Sequence, residues 1–225
     1  MVLDLALARA AFRTRAEALV VATTGSATLS ATLTGYARAS GSFITDGFVV
    51  GQDVTPSGFT LSGVANAGLI TKVEALLLTI DGGRTAQTSG SGRSLVSGIP
   101  TMRAYQNAGT FTPIARRPYI VEGLPGGGSK VQTIPGRTGR FQQDGILVWT
   151  WAGVAGTGTS AIDKGMTALM ARFSPFTRLP LSDGTDIDML WSPGPTIGDL
   201  VNMDGFARRT VQLPWRASTR NAVLV

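Results

Sequence analysis

The sequence predicts an α+β protein: a mixed β-sheet packed with two helices, carrying an inserted all-β barrel or sandwich. Three observations lead there. Apolar residues recur at helical spacing over residues 2–20 and again after Ser160. From residue 117 onward, short alternating runs are separated by Gly and Pro loops. Between Thr23 and Pro100 the chain is rich in Gly, Ser and Thr, with turn signals between short β-branched runs. The expected organisation is an α+β domain of residues 1–22 and 101–225, interrupted by a small β-domain of residues 23–100.

Residues 2–20 read as a helix, with Leu3, Leu7, Ala10, Ala11 and Leu19 on its apolar face and Arg9, Arg13, Arg15 and Glu17 largely off it. Glu17 follows Arg13 by one helical turn, within reach of a surface pair. After it come ATLSATLTGYA, GSFITDGFVV, DVTPSGFT and GLITKVEALLLTI, each read as β structure. Turns are expected at Asp46-Gly47, Pro56-Ser57-Gly58 and Asp81-Gly82-Gly83. EALLLTIDGG is short and ends in a turn signal, so it is read as a strand.

Residues 84–116 include the polar stretch TAQTSGSGRS and read as a return linker. PYIVE, KVQTI and GILVWTW are strands, joined by the loops LPGGGSK and PGRTGRFQQDG. AGVAGTGT is a glycine loop. Ser160 is the expected N-cap of a helix, with Asp163 favourably placed in its first turn. Ile162, Met166, Leu169, Met170 and Phe173 form its apolar stripe, and Pro175 ends it. TRLPL, a turn at Ser182-Asp183-Gly184, DIDMLW, the loop SPGPTIGDLVNMDG and the strand FARRTVQLPW complete the chain.

Composition bounds the function. The 225 residues are 43% apolar and 15% charged, with 29 Gly and 11 Pro, the profile of a folded, turn-rich chain. There is no Cys and no His. Disulfides, thiolate or imidazole metal sites and His-dependent nucleophilic catalysis are thereby excluded. The net charge is +6, and Lys occurs only at Lys72, Lys130 and Lys164. The arginines are scattered or paired, as at Arg116/Arg117 and Arg208/Arg209, which suits protein interfaces better than nucleic-acid readout. No apolar run approaches the roughly 20 residues of a membrane span. The N-terminus lacks the basic-then-apolar order of a signal peptide, so an intracellular product is expected.

Candidate chemistry fails on spacing. GGGSK places Ser129 before Lys130 with a strand after it, the reverse of a phosphate loop. GSGRS and GTGTS do not match a nucleophile elbow. Asp183, Asp186 and Asp188 lack the order of a calcium loop; Asp183 reads as a turn residue, and Asp186 and Asp188 as the outward side of a strand. Trp149 and Trp151 lie on one face of their strand and read as core, or as part of an oligomer interface. No enzyme, cofactor or metal site is expected.

Two stretches resemble phage proteins. SFITDGFVVGQDVTPSGFT, through Phe43, Gly47, Phe48, Gly51, Val54, Ser57, Gly58 and Phe59, resembles a β-module of phage virion proteins, with Phe43, Phe48, Val54 and Phe59 expected in its core. Arg117, Pro118, Tyr119, Leu124, Pro125, Gly126, Gly145, Ile146, Gly156, Gly158, Phe173, Pro214, Trp215 and Arg216 carry a resemblance to the tail terminator proteins of long-tailed phages. It covers residues 117–217 and, less closely, 1–22; the β-module departs from the family's compact form.

The resemblance implies a structural virion protein at the head–tail junction, assembled in the host cytoplasm. It implies a homo-oligomer, a hexameric ring that caps the tail tube, stops tube polymerisation and meets the head-side connector or stopper. DNA passes through the lumen without specific binding, and no membrane is involved. Loops 123–130, 135–144 and 192–205 are then the expected contacts. The candidate interface residues are Gly126, Gly127, Gly128, Lys130, Arg137, Arg140, Asp199, Asp204, Arg208 and Arg209. A tail tube protein or a head–tail stopper is the nearest alternative. A carbohydrate-binding accessory is a further one, with Tyr36 as the candidate exposed aromatic.

Overall fold

In a computed structural model, residues 3–61, 64, 67–100, 102–105, 111–124, 129–132 and 140–220 are described. Among these residues the fold is mostly β with two helices. Helix α1 (Leu5–Glu17) leads into β1 (Ala22–Thr23), β2 (Ala27–Thr32), β3 (Gly35–Arg38), β4 (Asp53–Ser57), β5 (Gly68–Val73), β6 (Leu77–Ile80) and β7 (Gln87–Ser97). Then come β8 (Met102–Tyr105), β9 (Tyr119–Gly123), β10 (Ser129–Gln132), β11 (Arg140–Val154) and helix α2 (Ser160–Arg172). The last elements are β12 (Arg178–Pro180), β13 (Asp186–Met189), β14 (Thr196–Ile197), β15 (Val201–Met203) and β16 (Phe206–Arg220).

Strands β2 to β7 close into a six-stranded barrel, because β7 pairs with both β2 and β4, and β1 adds to β7. Its core is Leu29, Tyr36, Phe43, Phe48, Val54, Ile70, Leu78 and Leu95, with Phe59 half-buried beside them. TAQTSGSGRS is thus no linker: Gln87–Ser97 is an 11-residue strand that closes the barrel. Its polarity fits a strand whose first half lies on the barrel surface, while Arg93, Leu95 and Ser97 turn inward. GSFITDGFVV is not a strand either. Residues 43–47 form a turn, with Phe48 N–H on the carbonyl of Phe43 (3.1 Å), so that Phe43 and Phe48 meet edge-on in the core. Tyr36 is fully buried, its hydroxyl donating to the carbonyl of Val64 at 2.8 Å, which removes it as an exposed aromatic.

The second sheet is built on β11 and β16, which pair antiparallel over 15 residues. Strand order is β12-β13-β16-β11-β9-β8; β10 also joins β11, and β14 and β15 join β16. β8 and β9 run parallel, while the other ladders are antiparallel. The expected loop PGRTGRFQQDG therefore gives its second half to β11, and the loop 192–205 contains β14 and β15. These short segments have too little apolar alternation to be read as strands; pairing to β16 makes them so.

Both helices cover one face of this sheet, over Leu147, Trp149, Trp151, Val211, Leu213 and Trp215. Helix α1 is shorter than expected and buries Ala8, Phe12 and Ala16, whereas Ala10 is exposed. The i, i+4, i+8 order small–large–small lets Phe12 reach both Phe173 and Trp215, each 6.1 Å away between ring centroids. Asp4 caps it, accepting from Ala6 N (2.8 Å) and Leu7 N (3.3 Å). Glu17 pairs with Arg103 of β8. Helix α2 starts at Ser160 with Thr159 as N-cap, one residue earlier than expected and without a side-chain cap bond. Ile162, Met166, Leu169 and Phe173 are buried as the stripe predicts.

Candidate assembly interface

The nine-stranded sheet has two unlike faces. One lies under α1 and α2. The opposite face carries Asp144, Ile146, Val148 and Thr150 of β11 and Arg208, Thr210, Gln212, Pro214 and Arg216 of β16, because alternate side chains leave a strand on opposite sides. No helix lies on that face among the described residues. At one end a small cluster of Tyr119, Phe206 and Phe111 covers it.

At the other end, four charged residues line up across four strands. Arg178 lies opposite Asp188, Asp188 opposite Arg216, and Arg216 opposite Asp144. Arg178 Nε donates to Asp188 Oδ1 at 2.8 Å, and Arg216 donates from Nε (2.7 Å) and Nη2 (3.2 Å) to the carboxylate of Asp144. These bonds hold the protons on both guanidiniums: the hydrogen bond to Asp144 raises the Arg216 pKa, and that to Asp188 raises that of Arg178. The sign alternates along the row: plus, minus, plus, minus.

Beside the row stand two exposed aromatics. Phe176 and Trp191 are 77% and 69% exposed, their rings parallel within 8° and 6.2 Å apart between centroids. The backbone fixes them there. Phe176 N–H donates to the carbonyl of Met189 (3.0 Å), and Phe176 has φ 64, a left-handed conformation uncommon for a bulky residue. A groove of about 320 Å³ separates the aromatics from Arg178, Asp188 and Arg216.

The sheet edge formed by β14 and β15 is the second exposed feature. Ile197, Val201 and Met203 are exposed there, and no further strand pairs with β14 or β15 among the described residues. Asp199 and Asp204 are exposed on the same edge; Asp204 sits in the tight turn into β16 with φ 52. Arg208 lies over the Tyr119 ring, 5.9 Å from its centroid, and pairs with Asp204 at 3.5 Å. Arg209, its neighbour, points to the opposite side and binds Asp163 in the first turn of α2. It holds the helix to the sheet and does not reach the open face. Lys130 and Arg140 lie in β10 and β11. Gly126, Gly127, Gly128 and Arg137 lie outside the described residues.

Sequence reasoning named Asp199, Asp204 and Arg208 but missed the aromatic pair and the charged row. The alternation of DIDMLW already sends Asp186 and Asp188 outward. That Asp188 meets Arg216 and Arg178 follows from strand register, which pairs residues 28 and 10 positions apart. Phe176 and Trp191 each stand beside a proline-bearing turn, a signal that names a loop and not a partner.

No family model matches the chain, and no curated protein matches it. A solved structure that carries no descriptive name aligns with 53% of this chain and 79% of its own at 18% identity, with a TM-score of 0.41. At that score the likeness decides neither fold nor role.

Proposed function

We propose that the protein is a structural virion subunit that acts as a phage tail terminator does: a homo-oligomeric ring, hexameric by the family's pattern, that caps the tail tube, stops its growth and meets the head-side connector. The observation that carries this reading is the open edge of β14 and β15, with Ile197, Val201 and Met203 exposed beside Asp199 and Asp204. An unpaired strand edge bearing apolar side chains is a template for another chain. Used head to tail, one such edge against a different surface of the next subunit closes a ring. In the same reading the helix-backed sheet, with its parallel β8–β9 ladder, is the tail-terminator-like body. The barrel is an addition on the outside of the ring.

The test is the particle mass by light scattering, with negative-stain images of the same sample, alone and with a tail tube protein. Open-centred rings, or rings that form on tube ends, support the reading. Long tubes of this chain alone would instead make it a tube protein. A Val201→Lys variant that assembles as the parent does would remove the edge from the contact.

A further inference from the structure

We infer that the open face of the nine-stranded sheet binds the same face of a second copy of this chain through a two-fold axis lying along the strands. The inference goes beyond the ring reading and uses a different surface. Its basis is the order of charges in the row Arg178, Asp188, Arg216, Asp144.

Two identical faces can meet about a two-fold axis in the plane between them. If that axis runs along the row, each charge meets its own copy, and the contact repels. If it runs along the strands, between β13 and β16, the row meets its own reverse. Arg178 then faces Asp144 of the second copy and Asp188 faces its Arg216, in both directions. All four positions are satisfied, because an alternating row with an even number of members is complementary to its reverse. The row crosses four strands, about 14 Å, so its charges fall within one contact patch.

The apolar neighbours obey the same operation. Phe176 and Trp191 stand at the β12–β13 end of the patch, and Ile146, 40% exposed, stands on β11 at the other. Pro214, opposite Ile146 in register, lies between them and is already buried within the subunit. Reversal across the axis carries the aromatic pair of one copy onto Ile146 of the other, so apolar surface covers apolar surface in two symmetric places. The charges are already paired within each subunit, so the row carries no net charge to repel a neighbour. They set the register of the contact, and the aromatics drive it.

The test uses the full chain and two charge reversals, Asp188→Arg and Arg216→Asp. Each variant alone sets two like pairs face to face. Mixed one to one, the two variants restore opposite charges at all four positions of the heteromeric contact. By sedimentation, wild type should show an assembly whose mass each variant halves, and the equimolar mixture should recover it. If the ring reading holds, a double ring becomes single; if the ring reading fails, a dimer becomes a monomer. The factor of two is read in either case. A wild-type mass that neither variant changes, or a mixture that stays at the halved mass while both variants keep native circular dichroism, overturns the proposal.

Discussion

Arg13 grips the carboxylate of Glu122 with two bonds of 2.9 Å, from Nε and Nη2, across 109 residues of chain. The Glu122 side chain is fully buried, so the pair ties α1 to β9. Arg13→Ala should cost about 2–3 kcal/mol, somewhat less than a wholly buried pair, because Arg13 keeps partial contact with solvent. Urea unfolding reads this. Glu122→Gln in the Arg13→Ala background should recover part of the loss, since the stranded charge is then gone.

Gly165 faces the Trp151 ring in the middle of α2. A Cβ there would lie 2.4 Å from both Cη2 and Cζ3. Gly165→Ala would ordinarily strengthen a helix by about 1 kcal/mol. Here overpacking should outweigh that gain, and the net change should be a loss of roughly 1–2 kcal/mol in thermal or denaturant melts.

Phe176→Gly separates folding from association. Phe176 is largely exposed and holds φ 64, a conformation glycine adopts freely. Its structural bond, N–H to Met189 O, survives the change. Stability should stay within about 1 kcal/mol of the parent. Self-association should weaken by at least tenfold in sedimentation.

Tyr36 links stability to alkaline pH. Burial raises its pKa above the ordinary 10.0, against an opposing pull from Arg84. The folded form therefore holds the phenolic proton where the unfolded chain gives it up. This contribution is fully present below pH 10.0 and is lost as pH rises from there through the raised value. Tyr36→Phe should cost about 1 kcal/mol at neutral pH, through the lost bond to Val64. Its stability should fall less steeply above pH 10 than that of the parent.

The barrel should be removable. Ala22 and Ser97 are directly paired, so a short glycine link can join them in place of residues 23–96. The excised chain loses the pairing of Arg117 with Asp53 and Asp81 and the bond from Lys164 to Gly47. Asp53, which is buried, leaves with the barrel, while Arg117 is a third exposed and Lys164 exposed, so each lost contact is worth at most about 1 kcal/mol. Circular dichroism should report a folded sheet with both helices, and the particle should form with the mass expected for shorter subunits.

The second helix, the strand DIDMLW and strands β2 to β6 of the barrel were legible, because each writes its burial into a local period. Ile162, Met166, Leu169 and Phe173 declare a buried stripe without reference to anything distant. Local period failed where the partner was remote. TAQTSGSGRS reads as linker because most of its side chains are polar; it is a strand because β2 and β4 lie on either side of it. The face of α1 was only partly legible: Leu3, Leu7, Ala11 and Leu19 belong to or pack on the core as expected, but apolar residues surround the helix, and only the sheet beneath selects Ala8, Phe12 and Ala16 and leaves Ala10 exposed.

The sequence alone determined the absence of Cys and His, the chemistry this excludes, and the alternation that turns Asp186 and Asp188 away from the core. Only the tertiary structure decided that Asp188 and Arg216 are neighbours, that Arg209 serves the helix while Arg208 serves the open face, and that Tyr36 is buried. Side-chain direction along a strand has a period of two and is readable one residue at a time. Register between strands is set by packing across the whole sheet, and no local stretch contains it.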